Sequence, residues 1–143
     1  MSFEIVRVDE GNYSLFADLL YWRANGCERA PTWEAAPEEL KNPNLHVYCA
    51  ACEGRFVGWI SLVYIPKVSR WKRGHVYVDE LWVQPEFRRR GIGTALMECA
   101  AELKESLGAV GVRLYVNTEN PEARRLYQKC GLEGEETAWF MEG

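Results

Sequence analysis

The chain has 143 residues, 48% of them apolar, and a formal net charge of −4. That length suits one ordinary domain with a good core, and that apolar share argues against a disordered chain. The acidic balance argues against nucleic acid as the main partner, and no apolar run is long enough to span a bilayer. The opening Met-Ser-Phe-Glu-Ile-Val-Arg has no signal-peptide pattern, so a cytoplasmic location is the expectation. The cysteines are Cys27, Cys49, Cys52, Cys99 and Cys130; an odd number without an export signal reads as free thiols. Cys49 and Cys52 have CxxC spacing but lie in a strand-like run, where an odd offset sends side chains to opposite faces. No second pair or histidine couple completes a zinc site, so no metal is expected. Cys99 and Cys130 fall on apolar helix faces and read as core.

In chain order, residues 3–8 alternate and predict a strand. Residues 12–24 predict a helix with Tyr13, Phe16, Leu19, Leu20 and the stem of Arg23 near its inner face, stopped by Gly26. Pro31, Pro37 and Pro43 punctuate an irregular region with a short helix expected over residues 32–41. Residues 45–52 and 56–65 predict a hairpin around Glu53-Gly54-Arg55. A basic loop over residues 66–74 carries Lys67, Arg70, Trp71, Lys72 and Arg73, and residues 75–83 predict a third long strand. A helix opens near Arg90, with Ile92, Ala95, Leu96, Cys99, Leu103 and Leu107 on one stripe and Gly108 as its stop. Residues 110–116 predict a strand. Asn120-Pro121-Glu122 then opens another helix with a capping residue, a proline and a first-turn acid. Its inner face is Ala123, Leu126, Tyr127 and Cys130, and Gly131 ends it. The tail predicts one or two short strands, the clearest at residues 137–141. This order means a mixed α/β sheet, an antiparallel meander followed by a right-handed crossover to a parallel strand.

Residues 81–94, Leu-Trp-Val-Gln-Pro-Glu-Phe-Arg-Arg-Arg-Gly-Ile-Gly-Thr, carry the strongest functional signal. Cations at a helix start oppose the helix dipole, and an anion resting on the first-turn amides reverses that penalty. Gly91 and Gly93 would let such an anion approach the backbone. The segment is neither a P-loop, which needs Gly-Lys-Ser/Thr, nor a dinucleotide fingerprint, whose third glycine is replaced by Leu96. Arg88-x-x-Gly91-x-Gly93 instead resembles the pyrophosphate-binding signature of the GNAT superfamily of N-acetyltransferases. Downstream, Asn120-x-x-Ala123-x-x-x-Tyr127 with Cys130-Gly131-Leu132 resembles that family's last helix, with Gly-Leu in place of the usual Gly-Phe.

The resemblance implies a single GNAT-like domain over residues 1–143 whose central parallel strands splay at the acetyl site. It implies acetyl-CoA as co-substrate, with its pyrophosphate on the turn formed by Arg88, Arg89, Arg90, Gly91, Ile92, Gly93 and Thr94. The pantetheine arm would run along Leu81, Trp82 and Val83, an N–H near Val83 would polarise the thioester, and Asn120 would contact the arm or the acceptor side. Tyr127 would protonate the leaving thiolate. A base is also needed, because an amine at neutral pH is mostly protonated. Asp79 and Glu80 precede the site on the strand; only one can face it unless a bulge brings Glu80 round. His46 and His75 read as structural. The implied function is acetyl transfer to a primary amine by direct attack in a ternary complex. The alternative is a non-catalytic acyl-CoA-binding or sensor module. Expected partners are a small-molecule or peptide amine acceptor, with no nucleic acid and no membrane, and a homodimer is left open. Trp22, Trp33, Trp71 and Trp139 are the candidate walls of an acceptor pocket, and cationic amines are the expected acceptors.

Overall fold

A computed structural model describes residues 2–28, 37–68, 73–135 and 138–143. Strands β1 (Glu4–Arg7), β2 (Leu45–Cys52), β3 (Arg55–Ile65), β4 (His75–Val83) and β5 (Gly111–Leu114) form one sheet in that spatial order. The first four pair antiparallel; β5 pairs parallel to β4 from His75–Gly111 to Val78–Leu114. Helices α1 (Tyr13–Asn25), α2 (Ile92–Leu107) and α3 (Pro121–Lys129) complete it. No helix among the described residues is long and apolar enough to cross a membrane.

The β2–β3 hairpin follows from its turn. Glu53 and Gly54 both have positive φ, 51° and 78°, as a two-residue type I′ loop requires. Two cores lie on opposite sides of the sheet. Ile92, Leu96, Ala100 and Leu103 of α2 pack with Val57, Ile60, Leu62, Val76 and Val78, whereas Tyr13, Phe16 and Leu19 of α1 pack with Val47, Phe56 and Trp59. Full burial of a side chain such as Leu96 contributes about 1.5–3 kcal/mol. Cys49 belongs to the α1 core and Cys52 to the α2 core, which is the opposed placement expected of the CxxC pair.

Gly74 is the tightest glycine. A Cβ there would overlap the Ile65 carbonyl oxygen and lie 2.8 Å from the Tyr64 ring. Backbone cannot yield as a flexible side chain can, so Gly74→Ala is expected to cost about 1–3 kcal/mol as overpacking. A thermal melt within a degree of wild type would contradict that placement.

Several sequence expectations change. Helix α2 starts at Ile92, not near Arg90, because Arg89 and Gly91 adopt left-handed φ of 63° and 85°. Leu20 and Leu107 lie at the margins of their stripes and are exposed. Helix α3 buries none of its residues fully; Tyr127 and Cys130 lean half-buried on the α2 core. Of the expected helix over residues 32–41, a 3-10 turn Pro37–Lys41 is described; Pro31 and Trp33 lie outside the described residues, as do Arg70, Trp71 and Lys72. The tail forms no strand among its described residues, and Thr137 lies outside them. Phe140 meets Tyr115, just past β5, with tilted ring planes and centroids 5.6 Å apart, while Trp139 stays exposed.

Candidate active site

Strand β4 leads into a 3-10 turn, Pro85–Phe87. Gln84 N–H donates to the Val57 carbonyl at 2.8 Å, and Phe87 N–H donates to the Gln84 carbonyl at 2.8 Å, which fastens the turn to β3. Arg88 is extended, and its Nε donates to the Val83 carbonyl at 2.8 Å. Part of that guanidinium is therefore spent on tying the turn to the strand end. Arg89 is left-handed, a conformation that costs a non-glycine residue about 1–2 kcal/mol. Gly91 caps α2 with no side-chain hydrogen bond, so the first-turn amides have neither an intrahelical nor a side-chain partner. Consecutive backbone N–H groups beside left-handed residues form a concavity suited to an anion.

The two glycines do different work. A Cβ at Gly91 would meet nothing within 4 Å, so its φ is what demands glycine. A Cβ at Gly93 would lie 3.0 Å from Leu126 Cδ2, so Gly93 lets the start of α2 approach α3. Packing against α3 is thus one reason for glycine here, beside the place of Gly93 in the wall of the cleft between these elements.

A cleft of about 450 Å³ opens between these elements. Leu81, Trp82, Val83, Arg88, Arg89, Gly91, Ile92, Gly93, Thr94, Asn120 and Tyr127 all line it. Asp79, Glu80 and Arg90 do not. Arg90 stacks over the Phe87 ring, 5.4 Å from its centroid. Sequence reasoning missed Phe87, Glu122, Ala123, Leu126 and Lys129 as lining residues. Glu122, Leu126 and Lys129 recur at helical spacing on α3, a face that could have been read once Tyr127 was placed on it.

The cleft reaches the sheet where β4 and β5 part. Their pairing stops at Val78–Leu114, while β4 continues to Val83. Just there β4 bulges: Ser61 pairs with Glu80 and Leu62 with Val78, leaving Asp79 without a partner. The extra residue reverses the strand's phase. Val76 and Val78 face the α2 core, and after the bulge Leu81 and Val83 do so, while Trp82 packs on the α1 core. Glu80 is thereby turned towards α1, where it meets Arg23 Nη1 at 2.8 Å. The bulge considered from sequence is present, and both acids are exposed.

Tyr127 enters from α3. Burial, then the neighbouring Cys130, pushes its phenol above the ordinary value, so it stays protonated at neutral pH. Asn120 Oδ1 accepts from Ala123 N–H at 3.1 Å. Its carbonyl is committed to the helix cap, and the amide N–H groups are what it can offer a ligand.

Of the candidate pocket tryptophans, Trp22 sits under the Arg55 guanidinium and Trp139 is exposed, and neither lines this cleft; Trp33 and Trp71 lie outside the described residues. His46 is buried with Nδ1 2.9 Å from Arg7 Nη2, and burial followed by the Arg7 charge holds it below its ordinary value. Burial pushes the Cys99 thiol up to about 11 and Cys49 higher still, which makes both inert.

The sequence matches the model of the acetyltransferase (GNAT) family over residues 13–132. The chain belongs to that family. A thialysine N-epsilon-acetyltransferase of Bos taurus is 32% identical over 71 residues, 50% of this chain and 42% of the relative. A glucosamine 6-phosphate N-acetyltransferase of Trypanosoma brucei brucei is 31% identical over 90 residues, 63% of this chain and 59% of the relative. The chain thus spans about half the length of the curated relatives it matches. Among solved structures, AAC(6')-Iy in complex with the bisubstrate analog CoA-S-monomethyl-acetylneamine superposes with a TM-score of 0.80 at 17% identity, covering 100% of this chain and 99% of that one. This likeness fixes the fold: the GNAT sheet, with its antiparallel meander and terminal parallel pair, holds the cleft described above.

Proposed function

We propose that this GNAT domain transfers an acetyl group from acetyl-CoA to a primary amine in a ternary complex. The observation that carries the reading is the convergence, on one cleft, of three elements: the uncapped start of α2, the unpaired edge of β4 at 81–83, and Tyr127. Arg88, Arg89 and the amides of 91–94 suit a pyrophosphate in charge and hydrogen bonding. The apolar Leu81, Phe87, Ile92 and Leu126 suit a flexible arm, and the open β4 edge offers backbone groups to its amides. Acetyl-CoA supplies a thioester, whose carbonyl the N–H near Val83 polarises. The amine nitrogen bonds to the acetyl carbon and the C–S bond breaks. The amine's proton passes to the carboxylate of Asp79 or Glu80, directly or through water, and Tyr127 gives its proton to the departing sulfur. The products are an acetamide and free thiol.

The relatives are named for amine substrates, thialysine and glucosamine 6-phosphate. That supports an amine acceptor here, either a small molecule or a peptide.

The test is thiol release from acetyl-CoA with a panel of amines, across pH. Turnover is expected to rise with pH as base and amine lose protons, and Asp79→Asn, Glu80→Gln or their combination to depress or shift that limb. An unchanged profile and rate in all three variants would remove both acids from the role of base. Acetyl-CoA binding with no thiol release for any amine would favour an acyl-CoA sensor instead.

A further inference from the structure

The α1 side of the sheet carries a charge arrangement that the transfer chemistry does not require. Arg23, in the last turn of α1, points its guanidinium over two indole rings, 5.1 Å from the Trp59 centroid and 5.6 Å from the Trp82 centroid. The same guanidinium donates to Glu80 Oε2 at 2.8 Å. The two rings are themselves in contact, with centroids 5.5 Å apart. A carboxylate beside tryptophan faces is the chemistry by which proteins hold organic ammonium groups.

We propose that Glu80, Trp82 and Trp59 form a seat for a cationic group of the acceptor, and that Arg23 is an internal occupant which the acceptor displaces. This rests on the acetyl-transfer reading above, and it adds what chooses the acceptor. Three features point to displacement rather than a permanent clamp. The Arg23 and Glu80 side chains are 45% and 47% exposed, so the pair is weak and water reaches it. Trp82 lines the donor cleft on one side and carries the guanidinium on the other, which places the seat next to the acetyl site. The bulge at Asp79 also has a clear consequence here: without it, Glu80 would face the α2 core. An occupant of this kind divides the intrinsic dissociation constant of a competing cation by the fraction of time the seat stands free, so a seat free about a tenth of the time binds about 10-fold more weakly. Arg23 therefore sets a threshold that a monovalent amine meets poorly and an acceptor with further contacts meets well.

The experiment is a calorimetric titration of the full chain with tetramethylammonium, a cation that cannot be acetylated. Arg23→Ala is expected to bind it about 10-fold more tightly than wild type. Arg23→Gln, which keeps the stem, is expected to show the same direction, and adding Glu80→Gln to either is expected to abolish the gain. Equal affinity in wild type and both Arg23 variants would overturn the proposal, as would a gain that survives Glu80→Gln. A lower melting temperature with unchanged affinity would mark Arg23 as purely structural and overturn it too. Acetyl-CoA titrations on the same variants keep the two readings apart: a failed cation seat leaves donor binding intact, whereas a failed donor site shows in the wild type.

Discussion

Tyr127→Phe is expected to lower kcat by about 10-fold or more, within the range typical of a lost general acid. Only a hydroxyl is removed. Among the described residues no protein group is seen to bond that hydroxyl, and the ring's contacts with the α2 core remain. The melting temperature should therefore stay close to wild type. The raised phenol value supports the assignment, since burial, then Cys130, keeps the proton in place above the ordinary 10.0. Loss of that proton should then cost turnover only above about pH 10. Thiol release under single-turnover conditions checks the substitution. A variant with wild-type kcat where chemistry limits the rate would remove Tyr127 from the reaction.

Gly91→Val should weaken acetyl-CoA binding by about 10-fold or more, since each charge-assisted hydrogen bond lost to a phosphate is worth about 1.5–3 kcal/mol. Among the described residues, no atom beyond its own chain neighbours and helix backbone lies within 4 Å of a Cβ added there. The damage comes through the backbone. A β-branched residue resists φ of 85°, so the turn relaxes and its amides no longer converge. Gly91→Ala, with a smaller penalty of about 1–2 kcal/mol, is the control: it should fold and bind at an intermediate level. Unchanged affinity in folded Gly91→Val, by calorimetry, would put the donor elsewhere.

Much of this was legible in the sequence because local chemistry and global fold agree. The hairpin was set by Glu53-Gly54, the α3 start by Asn120-Pro121, and the α2 stop by Gly108, each matching the structure. The turn 88–94 and Tyr127 were singled out by the resemblance to the GNAT signature and last helix, and the fold brings most of that turn and Tyr127 into one cleft. What could not be read depends on contacts far apart in sequence. Gly93 is explained by Leu126, Glu80 by Arg23, and Gly74 by Ile65. The exact helix start was missed because left-handed φ at Arg89 is unusual for a residue with a side chain. The tail reads as a strand from sequence, yet its described residues form none, and Phe140 meets Tyr115 through its ring.

The acceptor argument changes most. From sequence, Asp79 and Glu80 beside the implied acetyl site, with the net negative charge, point to a cationic amine acceptor. In the structure Glu80 is already paired with Arg23, so the proposed seat would select a cation by exchange rather than by open attraction. Asp79, unpaired at the bulge and exposed, is the acid left facing solvent without an ion pair among the described residues.

The most direct measurement is an amide spectrum of the isotopically labelled chain during titration with acetyl-CoA. The account predicts that the largest shifts fall on Arg89, Gly91, Ile92, Gly93 and Thr94, with a second set at Leu81, Trp82 and Val83 and a third around Asn120 and Tyr127. Shifts confined to β1, β2 and α1, with the 88–94 amides unmoved at saturation, would contradict it.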